Sequence, residues 1–172
     1  MLMGNFITEE RLFMEIRQGY SYHIKDEFFD LVQDKYLMSN KEQGNYRPHY
    51  YAIHDKKNPK IYWMIPISSQ AEKYKGIIEK KRKRYGKCNT IVIGLFAGKE
   101  NAFLIQNAFP VIEKYFDHIH TIQEQPVTIH KKLDKLLVEN LNEVLAMYNR
   151  GIKLTFTDIT AIRTIMEKEL EK

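Results

Sequence analysis

The hydrophobic and polar positions of the chain predict strands in the middle of the sequence. Aromatic and β-branched residues dominate 49–54 and 60–68, and the turn-forming residues of 56–59 between them predict an antiparallel hairpin. Pro66 predicts an edge or a bulge in the second of these strands, because proline cannot donate to a ladder. Further strands are predicted over 20–24, 90–96 and 102–106.

Apolar residues at helical spacing predict helices on either side of this strand-rich region. The helices are predicted over 8–17, 27–33, 70–84, 129–149 and 157–171, and residues 39–48 are predicted to form a loop. Asp26 and Thr157 are candidate N-caps. Strands and helices do not alternate as in a parallel sheet, which favours an α+β fold, a small antiparallel barrel or sheet with helices packed on it.

One domain is expected from the length of 172 residues. Within it, 1–18 form an N-terminal extension, 20–148 the core and 157–171 a C-terminal helix. No segment approaches the ~18 consecutive apolar residues of a membrane span, and Met1–Gln18 lacks the pattern of a secretory signal. Since one cysteine excludes an internal disulfide framework, we expect a cytoplasmic protein.

The net charge of +5 is concentrated in one segment. Residues 73–87 contain eight Lys or Arg and one Glu, so they carry +7 and the other 157 residues together carry −2. A cluster of this kind favours a polyanionic partner, most often nucleic acid. A solvated helix face or a flexible loop remains the alternative.

Two adjacent hydroxyls, Ser68 and Ser69, stand between the apolar strand and the basic helix. Hydroxyls and free backbone N–H groups at a helix start can hold a phosphate, and Lys73 would share a helix face with Ser69 if helicity begins there. Helix capping by either serine is the alternative. His49 alternates with apolar residues of its strand, which is typical of a structural histidine. His130 lies beside two lysines, which is typical of a solvated one.

No cofactor or metal site is predicted. The chain has no Gly-rich phosphate loop of the dinucleotide-binding or Walker type. His118 and His120 could chelate a metal, but this spacing is frequent by chance and no third ligand is near in sequence.

Four sequence blocks resemble the toxins of type III toxin–antitoxin systems, the ToxN/AbiQ/CptN family, and are most similar to its CptN branch. The resemblance spans Tyr20 to about Tyr148, and the blocks are RPHYYAI (47–53), IYWMIPISS (61–69), YGKC (85–88) and FLIQNAFPVIEKY (103–115).

The resemblance implies a metal-independent endoribonuclease with a compact antiparallel β-barrel core, like that of MazF/CcdB toxins, and added helices. Members cut RNA to leave a 2′,3′-cyclic phosphate and a 5′-hydroxyl, often in adenine-rich sequence, and several abort phage infection. A small structured antitoxin RNA binds and inhibits the toxin, usually in a closed protein–RNA ring.

The resemblance also assigns site residues. The family's hydroxyl pair corresponds to Ser68 and Ser69, which would hold the scissile phosphate. Its lysine corresponds to Ala71, so Lys73 is expected to supply the positive charge instead. A basic residue and a tyrosine of ToxN-like members correspond to His49 and His130, and both histidines are candidates for proton transfer.

The basic segment is expected to bind phosphates of the antitoxin RNA, the substrate RNA or both, with Tyr85 stacking on an unpaired base. The predicted RNA-binding residues are Arg47, Lys75, Lys80, Lys81, Arg82, Lys83, Arg84, Tyr85 and Lys87. Two other functions remain open: a non-catalytic RNA-binding protein, and a protein-interaction module whose basic helix is only solvated.

Overall fold

The computed structural model describes residues 15–172 and has an α+β architecture. Its strands are β1 Ser21–Ile24, β2 Lys41–Glu42, β3 Asn45–Tyr46, β4 His49–His54, β5 Ile61–Ser68, β6 Ile91–Phe96, β7 Lys99–Leu104, β8 Phe109–Ile112, β9 Phe116–Ile119, β10 Thr121–Ile122 and β11 Gln125–Pro126. Its α-helices are α1 Asp26–Val32, α2 Ala71–Tyr85, α3 Lys131–Asn149 and α4 Ile159–Leu170.

Seven strands form one antiparallel sheet in the order β6–β7–β5–β4–β1–β9, with β8 as a further partner of β5. Across residues 15–172 no backbone ladder joins β6 to β9, so the β-barrel core that the resemblance implies is not closed by strand pairing. Side chains at the two edge strands are in contact: the ring of Phe96, at the end of β6, stacks on that of His120, just after β9, with their centres 5.6 Å apart. The α+β class is confirmed.

Strand β5 holds the sheet together because it has three partners. One edge pairs with β4, while the other pairs with β8 over 61–64 and with β7 over 67–68. The amide of Ile67 donates to the carbonyl of Pro48 at 3.2 Å on the β4 side, so position 66 faces the gap between β8 and β7. Pro66 therefore sits where a missing N–H removes no ladder hydrogen bond.

The two faces of the sheet are covered by different helices. One face packs Tyr50, Trp63 and Ile65 with the apolar stripe of α3, and the other packs Tyr51 and Met64 with α1 and α4. A smaller cluster of buried residues joins α2 to β6 and β7: Tyr74, Ile78, Ile91, Ala102 and Leu104. Alternation along β4 and β5 sends successive side chains to these two faces.

Most of the helix predicted over 8–17 lies outside the described part, and its last three residues, 15–17, are not helical. The other predicted elements are confirmed with ends shifted by at most three residues. Residues 39–48, predicted as a loop, contain the β2–β3 hairpin. Its two-residue turn, Gln43 and Gly44, has positive φ at both positions, as a tight hairpin requires. The N-caps of α1 and α4 are Lys25 and Asp158, each one residue away from the predicted Asp26 and Thr157, and those of α2 and α3 are Gln70 and His130. No helix among the described residues is long and apolar enough to cross a membrane.

A buried carboxylate joins α4 to the β4–β5 turn. Asp55 accepts from Nη1 and Nη2 of Arg163 at 2.6 and 2.7 Å, and from the indole of Trp63 at 3.1 Å. Burial acts to raise the pKa of Asp55, but the hydrogen bonds, led by that from Arg163, outweigh it and lower the pKa to about 2.

We expect the substitution Arg163→Met to lower the free energy of unfolding by about 2 kcal/mol, because it leaves the Asp55 carboxylate without its bidentate donor. Chemical denaturation at pH 7 measures the loss. Lys168→Met, which removes an exposed cation from the same helix, is the matched control and should change stability little.

The difference between wild type and Arg163→Met should depend on pH in a defined direction. The pKa of Asp55 is about 2 in the folded state and 3.8 in its unperturbed state, so the charged form stabilises the fold above the higher value. The difference in unfolding free energy should therefore shrink as pH falls from about 4 to about 2. A constant difference across that range would contradict the assignment to Asp55.

Candidate active site

Ser68 and Ser69 lie at the end of β5, ahead of α2. Helix α2 begins at Ala71 after Gln70 as N-cap, so Ser69 stands before the helix and does not share a helical face with Lys73. Ser68 is buried and Ser69 is exposed. Lys73 lies on α2 with its ammonium 5.3 Å from the ring centre of Tyr74. The two serines therefore lie together at the end of β5, and Lys73 is exposed on the helix surface.

The carboxylate of Glu42 lies against both serines. Its Oε2 accepts from Ser68 Oγ at 2.9 Å, and its Oε1 accepts from the Ser69 backbone N–H at 2.8 Å and also from the Ser69 hydroxyl. Three donors thus converge on one anion. Both serines of the predicted site therefore donate to a carboxylate of the β2–β3 hairpin.

Arg47 is a buried fourth donor to the Glu42 carboxylate. Its side chain is only 4% exposed, and Nη1 donates to Glu42 Oε2 and to the carbonyl of Ile67, both at 2.8 Å. Its Nε donates to the carbonyl of Ser39 at 2.8 Å. The sequence prediction placed Arg47 on the RNA-binding surface. The structure instead buries it beneath Glu42, where its guanidinium donates to that carboxylate and to two backbone carbonyls.

The Glu42 carboxylate remains charged in this setting. Burial acts to raise its pKa, but hydrogen bonds from Ser69 and Ser68 and the positive charge of Arg47 outweigh it, so the pKa of Glu42 is lowered. Such a group stabilises the folded state when ionised and is a weak proton acceptor at neutral pH.

An open cleft of about 270 Å³ adjoins this group. Its lining includes Glu42, Arg47, Ser69, Asn101 and His120. Phe96 and Ile67 supply an apolar wall. A cleft with a hydroxyl, an amide and an imidazole around a buried cation suits a phosphate group with a base or sugar beside it.

His49 does not line this cleft. It pairs with Pro66 in the β4–β5 ladder, it is 0% exposed, and its ring contacts the rings of Phe29 and Phe109. Both ring nitrogens lack a partner within the described residues. Burial, and then the charge of Arg47, lower the pKa of His49 to about 3, so the ring is neutral. The proton-transfer role of His49 stays a prediction, and its ring lies buried between aromatic side chains.

His130 is the N-cap of α3. Its Nδ1 accepts from the backbone N–H of Lys132 at 3.1 Å. The side chain is exposed and is absent from the lining of the cleft. The structure shows His130 capping the helix. Its predicted role as a second proton-transfer group stays a prediction.

The cations of the basic segment differ in their contacts: some hydrogen-bond or pair with acids of the chain, and most are exposed to solvent. Lys81 turns inward and donates to Thr90 and Gln106 at 3.0 and 2.9 Å, and burial lowers its pKa. Lys75 pairs with Glu72 and Glu100, Lys87 with Glu143, and the exposed Lys83 with Glu79 at 3.4 Å. Exposed side chains on the segment include Lys80, Arg82, Lys83, Arg84 and Tyr85. These residues, with Lys73, make up the basic surface of α2.

Glu42, Asn101 and His120 are among the cleft residues that sequence reasoning did not assign to the site. No motif marks Glu42, which lies in a segment predicted as a loop. His120 attracted attention as one half of a possible metal pair with His118. In residues 15–172 no group of three or more His, Cys, Asp or Glu side chains is arranged to hold a metal ion.

Comparison with known proteins relates this fold to toxins. No protein-family model and no curated protein sequence matches the chain. The structure is similar to that of AbiQ, a lactococcal anti-phage endoribonuclease of a type III toxin–antitoxin system, with a TM-score of 0.66 and 11% identity over 89% of this chain and 98% of that one.

A second similar structure is that of a toxin from a bacterial type III system, described as selectively inhibited by a non-coding RNA pseudoknot. The TM-score is 0.64 at 15% identity, covering 91% of this chain and 100% of that one. Both likenesses extend over nearly the whole of each chain. This chain therefore has the fold of type III toxin–antitoxin toxins.

Proposed function

We propose that this chain is an endoribonuclease toxin of a type III toxin–antitoxin system, restrained by a small structured antitoxin RNA. The observation that carries the proposal is the convergence of Ser68, Ser69 and Arg47 on one anion beside an open cleft. The shared fold supports it, since AbiQ is an endoribonuclease of this kind.

The proposed reaction is metal-independent. The 2′-oxygen of the RNA attacks the adjacent phosphorus and loses its proton, the bond from phosphorus to the 5′-oxygen breaks, and the 5′-oxygen gains a proton. The products are a 2′,3′-cyclic phosphate and a 5′-hydroxyl. The Ser69 amide and the two hydroxyls would bind the phosphate oxygens, on which negative charge increases in the transition state.

A phosphate can reach these donors only when Glu42 leaves them. The carboxylate and a phosphate oxygen require the same Ser69 N–H and the same hydroxyls, and like charges repel in a partly buried site. The β2–β3 hairpin is two residues long on each side and exposed at its turn. RNA binding at the serines would therefore displace Glu42 with this hairpin.

The proposed RNA partners are the antitoxin and a cellular or phage substrate. The basic surface of α2 lies directly after the serine pair along the chain, so an RNA with its phosphate at Ser69 would continue along exposed cations. The antitoxin is proposed to cover the same surface, in a closed ring of alternating protein and RNA.

We expect the purified chain to cut adenine-rich RNA in the presence of EDTA and to leave 2′,3′-cyclic phosphate ends. Ser69→Ala should lower the cleavage rate by on the order of 10²-fold, because a transition-state donor is lost. Gel analysis of end-labelled RNA and its products measures both. Thr164→Ala, which removes an exposed hydroxyl on α4, is the control.

The same assay includes His49→Ala and His130→Ala, which test the proton-transfer roles predicted from the sequence. A drop of about 10²-fold or more would support either role. RNA that is bound but never cut by the wild type would overturn the proposal in favour of a non-catalytic binding protein. RNA that is neither bound nor cut would favour a protein-interaction module.

Glu42→Gln should bind uncleaved RNA about tenfold more tightly than the wild type, equivalent to ~1.4 kcal/mol. The neutral amide removes the repulsion of the phosphate and leaves the serine and Arg47 donors in place. Fluorescence anisotropy with a 2′-deoxy-substituted RNA measures the affinity without cleavage. Glu139→Gln, an exposed acid on α3, controls for net charge. Unchanged or weaker binding would show that Glu42 only holds the hairpin.

Replacing the four cations Lys80, Arg82, Lys83 and Arg84 by Ser should flatten the dependence of RNA affinity on salt. Each lost contact to a single strand reduces the slope of log affinity against log salt by about 0.7, so the slope should fall by up to about 3. The control replaces four exposed cations elsewhere, Lys56, Lys57, Lys60 and Lys168. An equal slope in both variants would exclude the basic surface of α2 as the binding surface.

A further inference from the structure

Three histidines meet beside the candidate site, although they come from distant parts of the sequence. His23 of β1 pairs with His118 of β9 in the sheet, and their rings stack at 4.5 Å. The Nε2 of His23 lies 2.8 Å from the Nδ1 of His120, a hydrogen-bond distance. The cluster thus contains one hydrogen-bonded pair, His23–His120, and one stacked neighbour, His118.

His120 belongs to the cleft and is held there firmly. It lines the same cavity as Ser69 and Arg47. Its backbone N–H donates to the carbonyl of Ser21 at 2.7 Å, and its ring stacks on Phe96 at 5.6 Å. Since its Nδ1 is engaged by His23, Nε2 is the ring nitrogen left for a ligand, and within the described residues it has no hydrogen-bond partner.

The surroundings of His23 determine which nitrogen of His120 carries the proton. The Nδ1 of His23 is buried without a partner among the described residues. An orphaned N–H costs more than an orphaned lone pair, so the proton of His23 belongs on Nε2 and is donated to Nδ1 of His120. A neutral His120 then carries its own proton on Nε2.

Both rings are neutral at neutral pH. Burial, followed by the neighbouring imidazoles, lowers the pKa of His23 to about 4. Burial and then His118 lower the pKa of His120. Asp117 acts on His23 in the opposite direction but does not outweigh burial.

We propose that His120 is a catalytic residue that donates its Nε2–H to a phosphate oxygen of the RNA in the cleft, with His23 as the positioning residue that fixes its tautomer. This inference rests on the proposed function. His120 neither gains nor loses a proton in the step. It stabilises the negative charge that grows on the phosphate oxygens as the 2′-oxygen attacks, in the way a neutral imidazole polarises a carbonyl.

The test compares cleavage rates of His120→Ala and His120→Gln with the wild type. Removing a transition-state donor should lower the rate by on the order of 10²-fold in His120→Ala. A glutamine places an N–H near the position of Nε2, so His120→Gln should stay within about tenfold of wild type. Equal loss in both variants would overturn the donor role, because a proton-transfer histidine cannot be replaced by glutamine.

His23 is tested by the same kind of rescue. His23→Gln retains an N–H donor towards Nδ1 of His120 and should keep most of the activity, whereas His23→Leu should lose it at unchanged thermal stability. His118→Ala removes the stacked, exposed ring without touching the hydrogen-bonded pair and is the matched control. Equal rates for His23→Gln and His23→Leu would overturn the positioning role.

A measurement without RNA separates this inference from the proposed function. Two-bond ¹H–¹⁵N correlation spectra at pH 7, assigned with the His23 and His118 variants, should show His120 as the Nε2–H tautomer. The Nδ1–H tautomer, or a protonated ring, would overturn the inference alone. If the wild type cuts RNA and His120→Ala cuts it at the same rate, the inference is also overturned while the proposed function stands. A wild type that does not cut RNA would overturn the proposed function, and the inference with it.

Discussion

The structure depends on the way a single strand, β5, is shared by three partners. Its one edge is occupied by β4, and its other edge passes from β8 to β7 at Pro66, the one kind of residue that needs no partner for its amide. This exchange brings the end of β5 against β7. Ser68 and Ser69 consequently emerge between β4, β7 and the start of α2, where donors from several elements can meet.

The charges at that junction connect stability with function. A buried guanidinium requires a counter-charge and acceptors, and Arg47 receives them from Glu42 and two backbone carbonyls. The same arrangement places an anion among the serine donors. Because the Glu42 carboxylate satisfies both the buried guanidinium and the serine donors, this junction is fully hydrogen-bonded within the folded chain.

The basic segment shows why a net charge is a poor guide to a surface. Its +7 is a property of the sequence, but the fold pairs Lys75, Lys83 and Lys87 with acids and turns Lys81 inward. The exposed remainder lies on one helix that starts two residues after Ser69. Only the exposed cations can release counterions when a phosphate binds, so they rather than the total set the strength of an electrostatic contact.

The sequence by itself determined the local structure, because hydrophobic periodicity and turn chemistry act over a few residues. It located β4, β5, α2 and α3 to within two residues, marked the Ser68–Ser69 pair and predicted the α+β class. Only the tertiary structure decided that the sheet stays open, that His49 faces the core, and that Glu42 and His120 reach the cleft. These outcomes depend on strand register and on contacts between residues up to 97 positions apart, which no local pattern specifies.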